Sequence, residues 1–284
     1  MSALLDLLDL RAEAHDTWIA SGHGPAGKRA FGGQFVAQSM AAAARSLPQA
    51  SDAAANGAAD APGPTSMHLQ FLRGGDATEP VQYNVERTFD GRTAMTRRVV
   101  SRQADRVITA ATVSFSRPLP GPEHGHYGAP LEDPESLERT GPAGPAPGLP
   151  LDELDIRYVD QGAGADFVRR LWWRSTVELP ADPMVHICVA LFVTDVYMID
   201  PALRVHGHTM RDRSHRSGTT DASFWFHRPI RADRWNLLES RSPAAARGRG
   251  VITASLVGSD GDICATVVQE GIIAARETTS TSTS

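Results

Sequence analysis

The chain is expected to be α+β, with two successive copies of an antiparallel sheet wrapped on a buried helix. Two apolar stretches of helical composition, 35–47 and 184–199, are each accompanied by a series of strand-like segments. Turn residues separate those segments, and Asp90-Gly91 is the strongest hairpin signal among them. A shift of 155 positions pairs Ile108 with Ile263, Ala110 with Ala265, Val113 with Val268 and Phe71 with Phe226, so the second half repeats the first.

Taken in order, residues 1–20 carry Leu4, Leu5, Leu8 and Leu10 and are expected to form a short amphipathic helix. Phe31-Gly32-Gly33-Gln34 then leads into residues 35–47, good helix formers with alanine on every side, closed by Pro48. The glycine pair reads in two ways. It is a tight loop into a core helix, or a place where backbone N–H groups at a helix start can meet a ligand. Residues 48–64 are a low-complexity surface loop, and strands are expected at 67–73, 81–89, 93–103 and 107–116. Proline and glycine dominate 117–150. Beyond it come strands at 154–160 and 167–179, the second helix after Pro183, and strands at 220–229, 235–241, 250–258 and 262–272. The expected organisation is an N-terminal unit 1–117, a linker 118–150, a C-terminal unit 151–276 carrying the chemistry, and an unstructured tail 277–284.

Composition narrows the function classes. With 284 residues, 41% hydrophobic and 21% charged, the chain can bury a large core. A net charge of −5 gives no electrostatic footprint for nucleic acid or an anionic membrane, and no apolar run is long enough for a span. The leucine-acid alternation at the start is not that of a signal peptide. Cys188 and Cys264 both lie in apolar runs, which points to a reducing cytoplasm. Histidines at 124, 126, 186, 206, 208 and 215 do not match zinc spacings, and no phosphate-loop, dinucleotide or nucleophile-elbow motif occurs, so neither metal nor cofactor is expected. Arg97, Arg98, Arg228 and Arg247 are candidates for phosphate contacts or simply solvated charges.

Differences between the two copies point to chemistry. The segment 220–229 places Phe224 and Phe226 on one strand face and Trp225 and His227 on the other, behind the carboxylate of Asp221. At the 155 shift Asp221 faces Ser66, Ser242 faces Arg87 and Gln269 faces Ser114. Each of these polar groups of the second copy is absent from the first.

The motifs R-x-F-G-G-Q (29–34), F-L-R-x-G (71–75), D-x-S-x-W-F-H-R-P (221–229) and V-Q-E-G (268–271) together resemble acyl-CoA thioesterase II over roughly residues 25–275. The resemblance implies a double hot-dog fold, two helix-wrapped antiparallel sheets in tandem. It also implies hydrolysis of fatty acyl-CoA by a directly activated water, without a covalent intermediate. The family's Asp, Ser or Thr, and Gln fall on Asp221, Ser242 and Gln269, with Ser240 the alternative hydroxyl. Ala222 stands where many members carry His, and Gly74-Gly75 replaces Pro-Gly.

On that resemblance Asp221 would take a proton from water held by Ser242 and Gln269, and substrate-binding N–H donors would come from Gly33 and Gln34 at the other copy's helix start. The alternatives are a hot-dog acyl-CoA hydratase or dehydratase, which would want a catalytic His beside its Asp, and a weakly catalytic acyl-CoA-binding protein. Open sheet edges suggest a homo-oligomer, a dimer or larger.

Overall fold

The structure is a computed structural model that describes residues 2–48, 61–129, 131–140, 149–196 and 198–276. Most of the expected low-complexity loop (49–60), part of the proline-rich stretch (141–148) and the expected tail (277–284) lie outside the described residues.

The first half runs α1 (Ala3–Leu8), β1 (Arg11–Ala14), β2 (Thr17–Ala20), α2 (Gly32–Arg45), β3 (Gly63–Phe71), β4 (Val81–Asp90), β5 (Ala94–Gln103) and β6 (Arg106–Ser116). The second half runs β7 (Leu154–Gln161), β8 (Val168–Ser175), α3 (Pro183–Thr194), α4 (Asp200–Arg204), β9 (His215–Phe226), β10 (Asn236–Ala246), β11 (Arg249–Val257) and β12 (Ile263–Ala275). All twelve strands form one sheet in the order β1-β2-β4-β5-β6-β3-β9-β12-β11-β10-β8-β7. The order is a mirror about the β3–β9 junction. The two expected sheets are thus halves of one continuous surface.

That junction fixes the relation between the halves. β3 and β9 are antiparallel, with Ser66 opposite Trp225, His68 opposite Ser223 and Gln70 opposite Asp221. His68 meets its own counterpart 155 positions along, Nδ1 to Oγ at 3.0 Å. Equivalent strands pair a residue with its own equivalent only where a two-fold axis crosses them, so the local two-fold passes through this pair.

One side of the sheet carries the core. α2 is almost wholly buried, and its run of small residues (Ala37, Ala41, Ala42, Ala43) lets α3 lie close. α3 is apolar on all sides, capped at its start by Asp182, whose carboxylate accepts from the Met184 N–H at 2.9 Å. Phe31 and Phe192 meet edge to face at 5.1 Å where the start of α2 passes the end of α3.

Three expectations change. The helix of residues 1–20 stops at Leu8, and 11–20 form a hairpin instead. Thr17-Trp18-Ile19 is a β-forming run that pairs with β4, and Asp16 turns the chain at φ 53°, held by Arg87 at 2.7 and 3.0 Å. The second helix ends at Thr194 rather than 199, because Asp195 breaks a run that apolar periodicity alone would continue. The glycine pair lies inside the first turn of α2 rather than in a loop before it.

Residues 121–129 and 131–140 run back along the second half. The Tyr127 N–H donates to Gly261 O (2.8 Å), its hydroxyl meets Glu239, and Arg170 bridges Glu132 (2.5 Å) and Glu239 (2.9 Å). Among the described residues no helix is long and apolar enough to cross a membrane.

Candidate active site

Asp221 enters on β9 immediately after a β-bulge. β12 pairs Glu270 with Asp221 and Gly271 with Thr219, so Thr220 is the extra residue. Residues directly opposed in a ladder point to the same face. Asp221 therefore shares the outer face with Glu270 of β12 and Gln70 of β3. It is half-buried, and its carboxyl is held above its ordinary value by burial and then by the nearby charge of Glu270. The nearby His68 charge and a hydrogen bond from Ser223 act in the opposite direction. Glu270 is itself engaged by Thr220 Oγ1 (2.9 Å) and Arg249 (2.7 Å). Trp225, 38% exposed, lies on this face against His68, ring centroids 5.3 Å apart.

Gln269 projects the other way. It pairs with Ala222 on one side and Ile252 on the other, both fully buried core residues. Its amide is buried, and among the described residues neither Oε1 nor Nε2 has a hydrogen-bond partner. A buried amide lacking all partners is rare in folded proteins and marks a place where a polar ligand group would be taken up. Ser242 lies in a second bulge, between Arg241 and Ala244 of β10, and its hydroxyl donates to Val251 O at 2.8 Å. Ser240, the alternative hydroxyl, is buried on the adjoining stretch of β10. The structure does not gather Asp221, Ser242 and Gln269 at one point.

A second carboxylate, absent from the sequence expectation, lies on the face of Gln269. Asp195 caps the end of α3 and accepts a hydrogen bond from Thr219 Oγ1 at 2.8 Å. Thr219 pairs with Gly271, two residues from Gln269 on the same face of β12. Asp195 also accepts from the Gly33 N–H at the start of α2. Burial raises its pKa to about 6, while those two hydrogen bonds work against the rise. The residue keeps some accessible surface despite its dense surroundings. The α3 terminus repels a negative charge and the α2 terminus attracts one, so Asp195 is held where two helix ends of opposite sign meet. A signal for it existed in the sequence: an acid ending an apolar helix runs against the usual preference for cations there.

The glycine pair serves this contact. A Cβ on Gly32 would lie 2.5 Å from Asp195 Oδ2, and one on Gly33 would lie 2.4 Å from the Phe192 carbonyl oxygen. Gly33 is buried with its N–H committed to Asp195, and Gln34 is buried with Oε1 unpartnered. Both sit at the junction of the halves.

The arginines singled out by sequence separate clearly. Arg97 is fully buried, with Nε donating to Ser46 Oγ (2.7 Å) and Nη2 to Asp90 (2.6 Å), so it is structural and meets no phosphate. Arg98 pairs with Glu86 at 3.8 Å, and Arg228 with Glu123 and Asp262, both at 3.2 Å. Arg247, exposed in the turn between β10 and β11, makes no ion pair among the described residues. An apolar cavity of about 340 Å³ lies at the far end of the helix pair, bounded by Ala41, Leu47, Met184 and Cys188, away from the polar cluster. Among the described residues no group of His, Cys, Asp and Glu is placed to hold a metal ion.

Known proteins resemble the whole of this arrangement. Residues 19–116 match the family model of the acyl-CoA thioesterase N-terminal domain, and residues 129–273 match that of the C-terminal domain. The chain is 30% identical to human acyl-coenzyme A thioesterase 8 over 270 residues, 87% of this chain and 81% of the relative. It is 29% identical to acyl-CoA thioesterase 2 of Haemophilus influenzae, covering 95% of this chain and 93% of the relative. The crystal structure of acyl-CoA thioesterase II TesB2 from Mycobacterium marinum superposes with a TM-score of 0.80 at 29% identity, over 96% of this chain and 99% of that one.

Proposed function

The chain belongs to the acyl-CoA thioesterase family, and on that premise we propose that it hydrolyses fatty acyl-CoA to a free acid and coenzyme A with a directly activated water. The observation that carries this reading is Gln269, a buried amide with both ends unpartnered among the described residues, one strand away from the junction of the halves. An amide can orient a water without competing with it as a base.

In this reading Asp221 takes the proton, following the family pattern, while Gln269 and Ser242 hold the water. The water oxygen bonds to the thioester carbon, the C–S bond breaks, and the leaving thiolate takes the proton back from Asp221 to depart as the thiol. Asp221 suits the role because burial and Glu270 make its carboxylate more basic and, among the described residues, no arginine pairs with it. Its face differs from that of Gln269, and the Thr220 bulge is the hinge on which the reading depends. Moving the bulge by one residue exchanges the faces of the residues beside it. Asp195, which grips Thr219 on the N-terminal side of that bulge, would then be a positioning residue.

A second reading makes Asp195 itself the base. It is favoured by a pKa near 6 and by its place on the face of Gln269. Thiol release from acyl-CoAs of graded chain length, measured for the unaltered chain, Asp221→Asn and Asp195→Asn, decides between them. Loss of turnover on changing Asp221 supports the first reading, and loss on changing Asp195 alone supports the second. No thiol release by the unaltered chain overturns both.

A further inference from the structure

A chain of buried side-chain hydrogen bonds runs from the end of α1 to the start of α2. Gln38 Nε2 donates to Leu7 O at 2.6 Å, in the last turn of α1, where helix carbonyls lack a donor of their own. Gln38 Oε1 accepts from the Tyr83 hydroxyl at 2.6 Å and from Gln34 Nε2 at 3.4 Å. Gln34, Gln38 and Tyr83 are each at most 1% exposed.

These bonds have a direction. A carbonyl oxygen only accepts, so the Gln38 atom that faces Leu7 O is the amide nitrogen. Its oxygen therefore faces Gln34, which has to offer its own nitrogen. Gln34 Oε1 is what remains, buried and without a hydrogen-bond partner among the described residues. Tyr83 stays a donor, because burial raises its pKa well above the ordinary phenol value. Gln34 adjoins Gly33, whose N–H holds Asp195.

The second copy does without these groups. Third and seventh after Phe31, the cap of α2, stand Gln34 and Gln38, whereas third and seventh after Asp182, the cap of α3, stand Val185 and Val189. At the 155 shift Tyr83 becomes Leu238, which pairs with Leu171 and Leu256 as Tyr83 pairs with Trp18 and Ser101. Applied to the helices, the same shift names Val189 and Val193, valines again. Apolar replacement of both partners of a buried hydrogen bond is commonly neutral or stabilising, so packing does not account for a polar chain with one open end. We infer that Tyr83 and Gln38 are positioning residues, which lock the Gln34 amide with its oxygen free to accept a hydrogen bond during thioester hydrolysis. The donor is the O–H of the attacking water or the amide N–H nearest the sulfur of the coenzyme A thioester.

The assignment rests on the acyl-CoA reading but can fail separately from it. kcat/KM for an acyl-CoA is expected to fall about tenfold in Tyr83→Phe, Gln38→Leu and Gln34→Leu alike. On the Gln34→Leu background Tyr83→Phe should cost nothing more, because the three residues act through one oxygen. The same loss on an S-ethyl thioester, which has no amide, identifies water as the donor. Loss confined to coenzyme A and N-acetylcysteamine thioesters identifies the amide. Tyr83→Phe keeps the ring and removes one oxygen, so it decides the matter even where Gln38→Leu fails to fold. Unchanged kcat/KM in Tyr83→Phe, with its melting temperature intact, overturns the assignment, and so does an equal loss with and without Gln34. Hydrogen exchange of the Gln34 side-chain amide, followed by NMR on the full chain with isotopically labelled glutamine, reads the lock directly. Slow exchange is expected in the unaltered chain and faster exchange in Tyr83→Phe, and equal rates overturn the lock. Hydrolysis of no thioester by the unaltered chain overturns the enzymatic reading, and the exchange rates still decide the positioning.

Discussion

Asp221 and Gln269 occupy adjacent rungs of the β9–β12 ladder and point to opposite faces of the sheet, because Asp221 pairs with Glu270 and Gln269 with Ala222. The bulge at Thr220 adjoins both. If Asp221 and Gln269 act together as proposed, the chemistry depends on how one extra residue in one strand is accommodated.

Replacing Asp221 with Asn tests the assigned base. Turnover is expected to fall by about 10²- to 10⁴-fold, the usual worth of a general base, with coenzyme A affinity preserved. Stability should hold or rise slightly, because the change removes a like charge facing Glu270. Steady-state thiol release and urea denaturation on the same preparation give both numbers.

Asp195 carries a signed pH dependence. Its folded pKa of about 6 stands above the unfolded 3.8, so the protein favours its protonated form. That contribution is fully present below about pH 3.8 and is lost as pH rises through about 6. The shift is worth at most about 3 kcal/mol. Asp195→Asn should remove this pH dependence, and at pH 7 should leave the protein as stable or more stable while lowering turnover. Urea melts at pH 4 and pH 7, compared between the two proteins, measure it.

Gly33→Ala is expected to cost about 1–3 kcal/mol, since the new methyl meets a backbone carbonyl that cannot swing away. Gly32→Ala should be milder in stability and strong in activity, because what it displaces is the Asp195 side chain. Melting temperature and kcat, measured on both, separate the two effects.

Arg97→Ala should destabilise the first half by about 2–4 kcal/mol, leaving a cavity and unpaired acceptors at Ser46 and Phe89. Arg98→Ala, one residue away and pairing loosely with Glu86 at the surface, should stay within about 0.5 kcal/mol. Chemical denaturation midpoints check the contrast.

Much of this was legible in the residues. The repeat, the two buried helices and most strands follow from periodicity and turn chemistry, and the 155 shift reappears as the His68–Ser223 pair on the two-fold. The hairpin at 11–20 was not legible, because leucines at the start suit a helix and only pairing with β4 makes Trp18 and Ala20 a buried strand face. The site was half legible. Gln269 could be picked out because a polar residue interrupts an apolar strand. Asp195 was legible only as an acid closing an apolar helix, since its meaning comes from α2 approaching across the junction, a contact between residues some 160 positions apart in the chain. The opposition of Asp221 and Gln269 was hidden for a different reason: it depends on the register in which two strands pair, which alternation within either strand does not fix.

The two-fold through His68 and Ser223 relates the β9–β12 side of the seam to a side that holds Ser66 and Ser114 in place of Asp221 and Gln269. In an assembly of two identical chains every substitution would appear twice, so neither side could lose its polar groups without the other. Joining the halves in one polypeptide lets each side drift on its own. On the proposed assignment of the site, the stoichiometry would be one productive thioester position per polypeptide, not one per sheet-and-helix unit.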